Sequence, residues 1–413
     1  MYRLVGTWGQ VMFPAHWIQF RLWYERSRLD PARKPYLDGL ITTDWYHGAG
    51  ERIWTPYFIR FVERKKWYNL YTNFDKGAAL SISHQEKGVN YHKTIGPDSA
   101  LLLSWATPDK TQLRFPGINT LKRYDYCFQP VPQARIARTW DAIPELVATV
   151  AQNKTIILTT ATEGFESILR NWLCSLRNLH IHHVVVYTQE PLFAEKLYAE
   201  GISVILDEPQ ETKSAAQRLN DTLVTYGTLD YQRHIAQRNK IVGNVLHLGY
   251  HVLLADNDAI WLSDPFAHMR NERIDIFGSM DYARLCGGFL YLKHHRATLT
   301  LWDELIQQHA LLLEKALAAG ELKHKDDSEQ LLLWLMLQNR KGIKVHHLDM
   351  DLFPNGRQYF AHHLPQQRRI KPVVIHNNWI VGREAKIQRF KNESLWYIDD
   401  WDKGCRVVRC TAA

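Results

Sequence analysis

Beyond about residue 140, apolar positions fall into short unbroken runs separated by longer stretches of helical period. Thr155 to Thr160, His183 to Thr188, Ile202 to Asp207 and His251 to Ala255 are runs of the first kind. Continuous apolar character marks a strand buried on both faces, where alternation would mark a strand with one wet face. Between these runs, Phe165 to Leu179 repeats its apolar residues at helical spacing. A second helix opens at Pro191, where a missing N–H costs little, and closes at Gly201. A longer helical region, broken near Gly227, runs from about Thr212 to Leu248 and stops at Gly249. Further on, Ile274 to Met280, Gly288 to Leu292, Lys344 to His347 and Pro372 to Ile375 read as strands that complete the sheet, with helices at His295 to Ala319 and Asp327 to Gln338. This alternation predicts an α/β fold, a largely parallel sheet with helices on both faces.

The earlier part of the chain has a different texture. Residues 1 to about 140 hold eight of the fifteen tryptophans, with helical spacing in Trp17 to Tyr24 and strand-like runs at Leu37 to Thr42 and Tyr68 to Thr72. They predict a small aromatic-rich α/β or α+β region. Core packing accounts for these tryptophans more readily than a carbohydrate-stacking surface, because an indole buries so much apolar area. Pro130, Pro132 and Pro144, with Arg135 and Arg138 between them, read as a linker. The chain of 413 residues exceeds the usual size of one core. It is therefore divided into an accessory region at 1–140, a candidate acceptor-binding region, and a larger domain at 141–413.

Hydrophobic content of 46% and charged content of 23% are those of a globular protein with a substantial core. The net charge of +8 invites a nucleic-acid reading. The basic residues are scattered, however, and no nucleic-acid motif accompanies them, so the surplus is assigned to a phosphorylated substrate or to solubility. Cys127, Cys174, Cys286, Cys405 and Cys410 are odd in number and lack metal-finger spacing, so no disulfide framework is indicated. The first ten residues lack a signal-peptide core, and no run spans a membrane. The expectation is a cytoplasmic chain, or a Golgi-lumenal one if an anchor has been left out; the sequence does not set the oligomeric state.

Candidate chemistry begins where the run His251 to Ala255 ends in Asp256-Asn257-Asp258. In an extended chain i and i+2 project to the same side, so the two carboxylates aim at one point past the strand end and suit a divalent metal. An isolated Asp-x-Asp is more often a turn that caps backbone N–H groups. The run Pro372 to Ile375 repeats the layout, delivering His376 at its end with Gly382 and Lys386 close behind. Alone, His376 would be a hydrogen-bonded structural histidine.

Taken in order, Asp256-Asn257-Asp258 behind a buried strand, Trp261-Leu262-Ser263-Asp264-Pro265-Phe266, Cys286-Gly287-Gly288-Phe289-Leu290-Tyr291 and His376-Asn377-Asn378-Trp379-Ile380-Val381-Gly382 resemble the nucleotide-diphospho-sugar transferases of glycosyltransferase family 77 over roughly residues 150 to 400. The resemblance implies a GT-A-like fold, with a mixed, mostly parallel sheet flanked by helices, a UDP-sugar donor, a Mn²⁺ cofactor with Mg²⁺ as the alternative, and retention of anomeric configuration. It further implies that Asp256, Asp258 and His376 hold the metal. Thr159, Thr160 and Ala161 would hold the nucleotide, and Arg238 and Lys240 resemble the basic pair ahead of the Asp-x-Asp strand. Asn257, Gly287 and Gly288 would line the nucleotide-sugar site, Gly382 would admit the diphosphate, and Lys386 would neutralise it.

The catalytic candidates are Asp281, after the strand Ile274 to Met280, and Asp327, which opens a helix and is equally an N-cap. Where the family carries an Asp-Gln pair, this chain reads Asp326-Asp327-Ser328-Glu329-Gln330, so Asp327-Ser328 and Glu329-Gln330 are competing alignments. The expected function is metal-dependent, retaining transfer of galactose, xylose or arabinose from a UDP-sugar to a hydroxyl of a glycan or glycoprotein. A sugar nucleotidyltransferase and a non-catalytic glycan-binding protein on the same fold are the alternatives.

Overall fold

The structure, a computed structural model, describes residues 1–413 apart from 4, 7–9, 72–73, 75–77, 80–86, 88–94, 96–99, 102–115, 208–227, 321–327, 339 and 411–413. It divides into two compact units, Met1–Val131 and Pro132–Ala413. Among the described residues no helix is long and apolar enough to cross a membrane.

In the first unit, helices α1 (Pro14–Arg28), α2 (Ile41–Ala49) and α3 (Thr55–Lys65) are followed by a short antiparallel pair, β1 (Arg123–Tyr124) and β2 (Pro130–Val131). α1 and α3 each carry proline in their first turn, where no N–H is needed. Phe20, Tyr57, Phe58 and Phe61 are buried, and Phe20 meets Phe58 edge-on with centroids 4.9 Å apart. Phenylalanine and tyrosine rings build this core, whereas the described tryptophans of the unit are half-buried (Trp17, Trp23, Trp67) or exposed (Trp45, Trp54), which corrects the expectation that core packing accounts for them. The run Leu37 to Thr42 is not a strand: the Thr43 hydroxyl accepts from the Leu37 N–H at 2.9 Å and donates to the Leu37 carbonyl at 2.8 Å, closing a turn that leads into α2. Of Tyr68 to Thr72, Asn69 pairs only in an isolated bridge with Tyr2, and Thr72 lies outside the described residues. Trp8 and Trp105 lie outside them as well.

The second unit contains β3 (Ile136–Ala137), α4 (Ile143–Val150), β4 (Thr155–Thr160), α5 (Glu166–Arg177), β5 (Val184–Thr188), α6 (Pro191–Ala199), β6 (Ser203–Leu206), α7 (Leu229–His247), β7 (His251–Ala255), β8 (Ala259–Trp261), β9 (Ile276–Asp281), β10 (Arg284–Leu292), α8 (Arg296–Ala319), α9 (Glu329–Gln338), β11 (Val345–His347), α10 (Leu364–Arg368), β12 (Val374–His376) and α11 (Arg383–Asn392). Eight strands form one sheet in the order β11-β9-β10-β7-β4-β5-β6-β3. All neighbours are parallel except at β10, which runs antiparallel to both β7 and β9. This is the mixed, mostly parallel α/β sheet expected.

The apolar runs are continuous because both faces are covered. Ile157, Val186 and Leu253 enter one core together with Trp172 of α5 and Phe193 of α6. Their chain neighbours Ile156, Leu158, Val185 and Leu254 enter the other, with Val242 of α7 and Trp302 of α8. The chain builds outward from β4 through β5 to β6, then returns to place β7 on the other side of β4. The strand order thus reverses at β4 and β7, and sheets of this kind place their ligands at the carboxyl ends of the strands beside such a reversal.

Three expectations are corrected. The proline-rich stretch is not only a linker, since Ile136–Ala137 joins the sheet edge beside β6, a position that tolerates nearby prolines. The strand ending in His376 does not complete the large sheet; it pairs antiparallel with β8 as a separate two-stranded ribbon. Cysteines do cross-link: Cys174 of α5 is disulfide-bonded to Cys405, a pairing between residues 231 apart that an odd cysteine count hides.

Candidate active site

β4 ends at Thr160 and β7 at Ala255, side by side across the reversal. The Asn257 amide Nδ2 donates to the Thr160 carbonyl at 2.8 Å and ties the two strand ends together. Asp256 and Asp258 flank this tie. β12 then sets His376 opposite Ala259, and the Asn377 N–H donates to the Asp258 carbonyl at 3.0 Å. The result is a cluster in which Asp256, Asp258 and His376 each offer a ligand atom within 4.8 Å of the others. His376 Nε2 lies 3.3 Å from Asp258 Oδ1 and 3.6 Å from Asp256 Oδ2.

Lys386, in the first turns of α11, places Nζ 2.5 Å from Asp258 Oδ2. Burial opposes charge on Asp258, yet Lys386 and then His376 hold its carboxyl far below the ordinary value. Burial likewise pulls the His376 imidazole down, but Cys286 and then Asp258 and Asp256 keep it well above its ordinary value. Lys386 is raised by the same carboxylate against its own burial. Two carboxylates, Asp256 and Asp258, against a lysine and a protonated histidine make a charge-balanced set. Two carboxylates and one imidazole are also a donor set that fits a divalent cation with a leaning toward Mn²⁺.

Glycines set how closely these groups approach. A Cβ added to Gly288 would stand 2.6 Å from His376 Cε1 and 2.8 Å from Asp256 Cγ, so only glycine fits behind the cluster. The neighbouring Gly287 N–H donates to Gln330 Oε1 at 3.0 Å. Arg238, buried on α7, reaches Glu329 with Nη2 at 2.8 Å and lies 4.0 Å from Asp256 Oδ1. Glu329 and Gln330, one of the two competing alignments, thus lie at the cluster. Asp327 lies outside the described residues.

The remaining expected residues divide. Thr159 is fully buried with its hydroxyl unpartnered, Thr160 supplies the carbonyl that Asn257 holds, and the Ala161 N–H bonds to the Tyr187 carbonyl at 3.0 Å. Gly382 is exposed at φ +98° with open space beside it, and stands at the N-terminus of α11. Lys240 is exposed, while Arg238 is buried; two residues on along a helix is more than half a turn, so Lys240 faces away from the cluster. Asp281 is not one of the three clustered ligands, and its Oδ1 accepts a hydrogen bond from Trp379 Nε1 at 2.7 Å.

Sequence reasoning missed the part played by Cys286. Its buried Sγ lies 3.4 Å from His376 Nδ1, on the side of the ring away from the acids. The thiol orients the imidazole as second partners of metal-binding histidines do. Its signal was the Cys-Gly-Gly run itself, read above for its glycines.

A family profile and several relatives match the chain. A profile described as nucleotide-diphospho-sugar transferase matches residues 180–390. A UDP-galactose:fucoside alpha-3-galactosyltransferase of Dictyostelium discoideum is 30% identical over 194 residues, covering 43% of this chain and 30% of that protein. A UDP-D-xylose:L-fucose alpha-1,3-D-xylosyltransferase 1 of Arabidopsis thaliana is 24% identical over 329 residues, covering 73% of this chain and 84% of that protein. Beta-arabinofuranosyltransferase RAY1 of Arabidopsis thaliana is 25% identical over 289 residues, covering 66% of this chain and 52% of that protein.

Proposed function

The chain belongs to the nucleotide-diphospho-sugar transferase family, and from that premise we propose that it is a retaining glycosyltransferase that moves galactose, xylose or arabinose from UDP to a hydroxyl of an L-fucosyl glycan or glycoprotein. The observation that carries this reading is the cluster of Asp256, Asp258 and His376, with Lys386 beside it, at the strand ends where the strand order reverses. The fucosyl acceptor follows the activities for which the Dictyostelium and Arabidopsis relatives are named, with UDP-galactose and UDP-xylose as donors.

Asp256, Asp258 and His376 would hold Mn²⁺, with Mg²⁺ as the weaker candidate for a site containing an imidazole. When bound, the ion supplies charge stabilisation for the departing diphosphate. The chain's own residues do the rest. Lys386 adds a second positive charge where negative charge grows on the leaving oxygen. The N-terminus of α11, opened by Gly382, offers backbone N–H groups to phosphate oxygens. Arg238 fixes Glu329, and Glu329 and Gln330 crowd Gly287 at the place where the sugar would lie.

Retention by double displacement requires a free carboxylate beneath the sugar. Glu329 is engaged by Arg238 and Asp281 by Trp379. These engagements favour a front-face path in which a departing phosphate oxygen takes the acceptor proton. The Cys174–Cys405 disulfide favours an oxidising compartment such as the Golgi lumen over the cytoplasm.

The test is UDP release from UDP-galactose, UDP-xylose and UDP-arabinose with Mn²⁺ and methyl α-L-fucoside. One donor should release UDP and yield a fucoside disaccharide only while the metal is present. No release from any donor, or equal release after chelation, overturns the reading.

A further inference from the structure

Trp379 and Tyr282 are large aromatic residues left 48% and 49% exposed. Both hold backbone φ at +57°, a left-handed conformation that side chains of this size rarely adopt. Their rings meet edge to face, 5.1 Å between centroids and 75° between planes. Each is braced from behind. Trp379 Nε1 donates to Asp281 at 2.7 Å, and the Arg357 guanidinium lies 5.3 Å over the Tyr282 ring. Arg389 donates to the carbonyls of Asn378 at 3.1 Å and Trp379 at 3.4 Å. The Gly356 N–H donates to Asn378 Oδ1 at 2.7 Å. Strained backbone around exposed rings, over-determined by surrounding bonds, marks a surface built for contact.

Two separate ties put this surface beside the metal cluster. Trp379 follows His376 by three residues in sequence. Asp281 ends β9, which pairs with β10 at Leu285, and the next residue, Cys286, touches His376. The chain segments that carry the rings thus meet the segments that carry the ligands on both sides.

We propose that Trp379 and Tyr282 form the platform on which the acceptor's fucose ring stacks, selecting a 6-deoxy sugar by its apolar face. This rests on the glycosyl-transfer reading above. An aromatic face is electron-rich and attracts polarised C–H groups, and C6 of fucose is a methyl where that of galactose is a hydroxymethyl. Asp281 is then a positioning residue that fixes the indole through its N–H.

Calorimetric titration of the full chain, with UDP and Mn²⁺ present, would compare methyl α-L-fucoside with methyl α-L-galactoside, its 6-hydroxylated counterpart. The wild type should prefer the fucoside by about tenfold. Trp379→Ala and Tyr282→Ala should lose that preference, and Trp379→Phe, which keeps a ring but no N–H, should lose part of it. In initial-rate assays the change should appear in the acceptor KM and not in the donor KM. Equal binding of both saccharides by the wild type, preference retained in the alanine variants, or an equal rise in donor KM overturns the proposal. Selective fucoside binding without UDP release from any donor would leave the platform standing and overturn the transfer reading instead.

Discussion

Nζ of Lys386 stands 2.5 Å from Oδ2 of Asp258, so a buried member of the metal set already has a cationic partner. In the proposed reaction this lysine would serve two charges in turn: the carboxylate at rest and the diphosphate as it departs. Lys386→Met is expected to lower kcat by about 10²-fold or more, with Lys386→Arg recovering part of the loss. Steady-state kinetics with the donor varied would check this, alongside thermal melting to separate lost folding from lost chemistry.

At the proposed metal site, proton and metal would compete for His376 Nε2. Because the imidazole is held well above its ordinary value by Cys286, Asp258 and Asp256, it stays protonated further toward neutral pH than a free histidine. Metal binding must expel that proton, so Mn²⁺ affinity should rise with pH and weaken as pH falls. Calorimetric Mn²⁺ titration over a pH series should show proton release, and His376→Gln should bind more weakly with a flatter pH dependence.

The clearance at Gly288 makes Gly288→Ala a sharp probe. The new methyl would meet His376 Cε1 and Asp256 Cγ at under 3 Å, forcing the ligands apart. Mn²⁺ binding should weaken by at least about tenfold, on the scale of losing a supporting partner, while Gly382→Ala, with open space but positive φ, should chiefly affect the N-terminus of α11. Metal titration and circular dichroism together would distinguish the two.

Glu166 opens α5 and binds Arg170, Lys196 and Lys403 at 2.7, 2.9 and 3.0 Å. Although burial opposes it, these cations depress its carboxyl from 4.5 to about 2. A depressed carboxyl stabilises fully above the unfolded value and loses that contribution as pH falls through the folded value. Stability should therefore drop between about pH 4.5 and pH 2, and Glu166→Gln should cost on the order of 1 kcal/mol at neutral pH, since Lys196 and Lys403 are partly exposed and screened, and should flatten that drop. Denaturant melts across the acid range would measure it.

The central strands were legible because burial on both faces leaves an unbroken apolar run, as in Ile156 to Leu158 and Val252 to Leu254. Asp256, Asp258 and His376 were legible for a related reason, since each follows such a run and inherits its direction. What escaped were relationships between distant segments. The run before His376 reads as one more strand of the sheet, and nothing local reveals that its partner is Ala259–Trp261. Cys174 and Cys405 carry no spacing signal across 231 residues. Leu37 to Thr42 looks extended because a hydroxyl that closes a turn from Thr43 is invisible to apolar periodicity. Arg238 and Lys240 differ by two residues and were paired by resemblance, while helix geometry separates them.

The ribbon of β8 and β12 joins Val374 to Trp261, Ile375 to Ile260 and His376 to Ala259. Sliding either strand by one position would reverse which way every side chain on it faces and swing the imidazole away from the acids. Length changes inside this short clasp should abolish function outright, whereas segments connecting its two halves can grow or shrink without changing its phase. A chimera that exchanges the chain between residues 263 and 372 should thus keep the Asp256, Asp258 and His376 cluster together, provided the strands that frame Gly288 are kept, and one that inserts a single residue within Ala259–Trp261 or Val374–His376 should not.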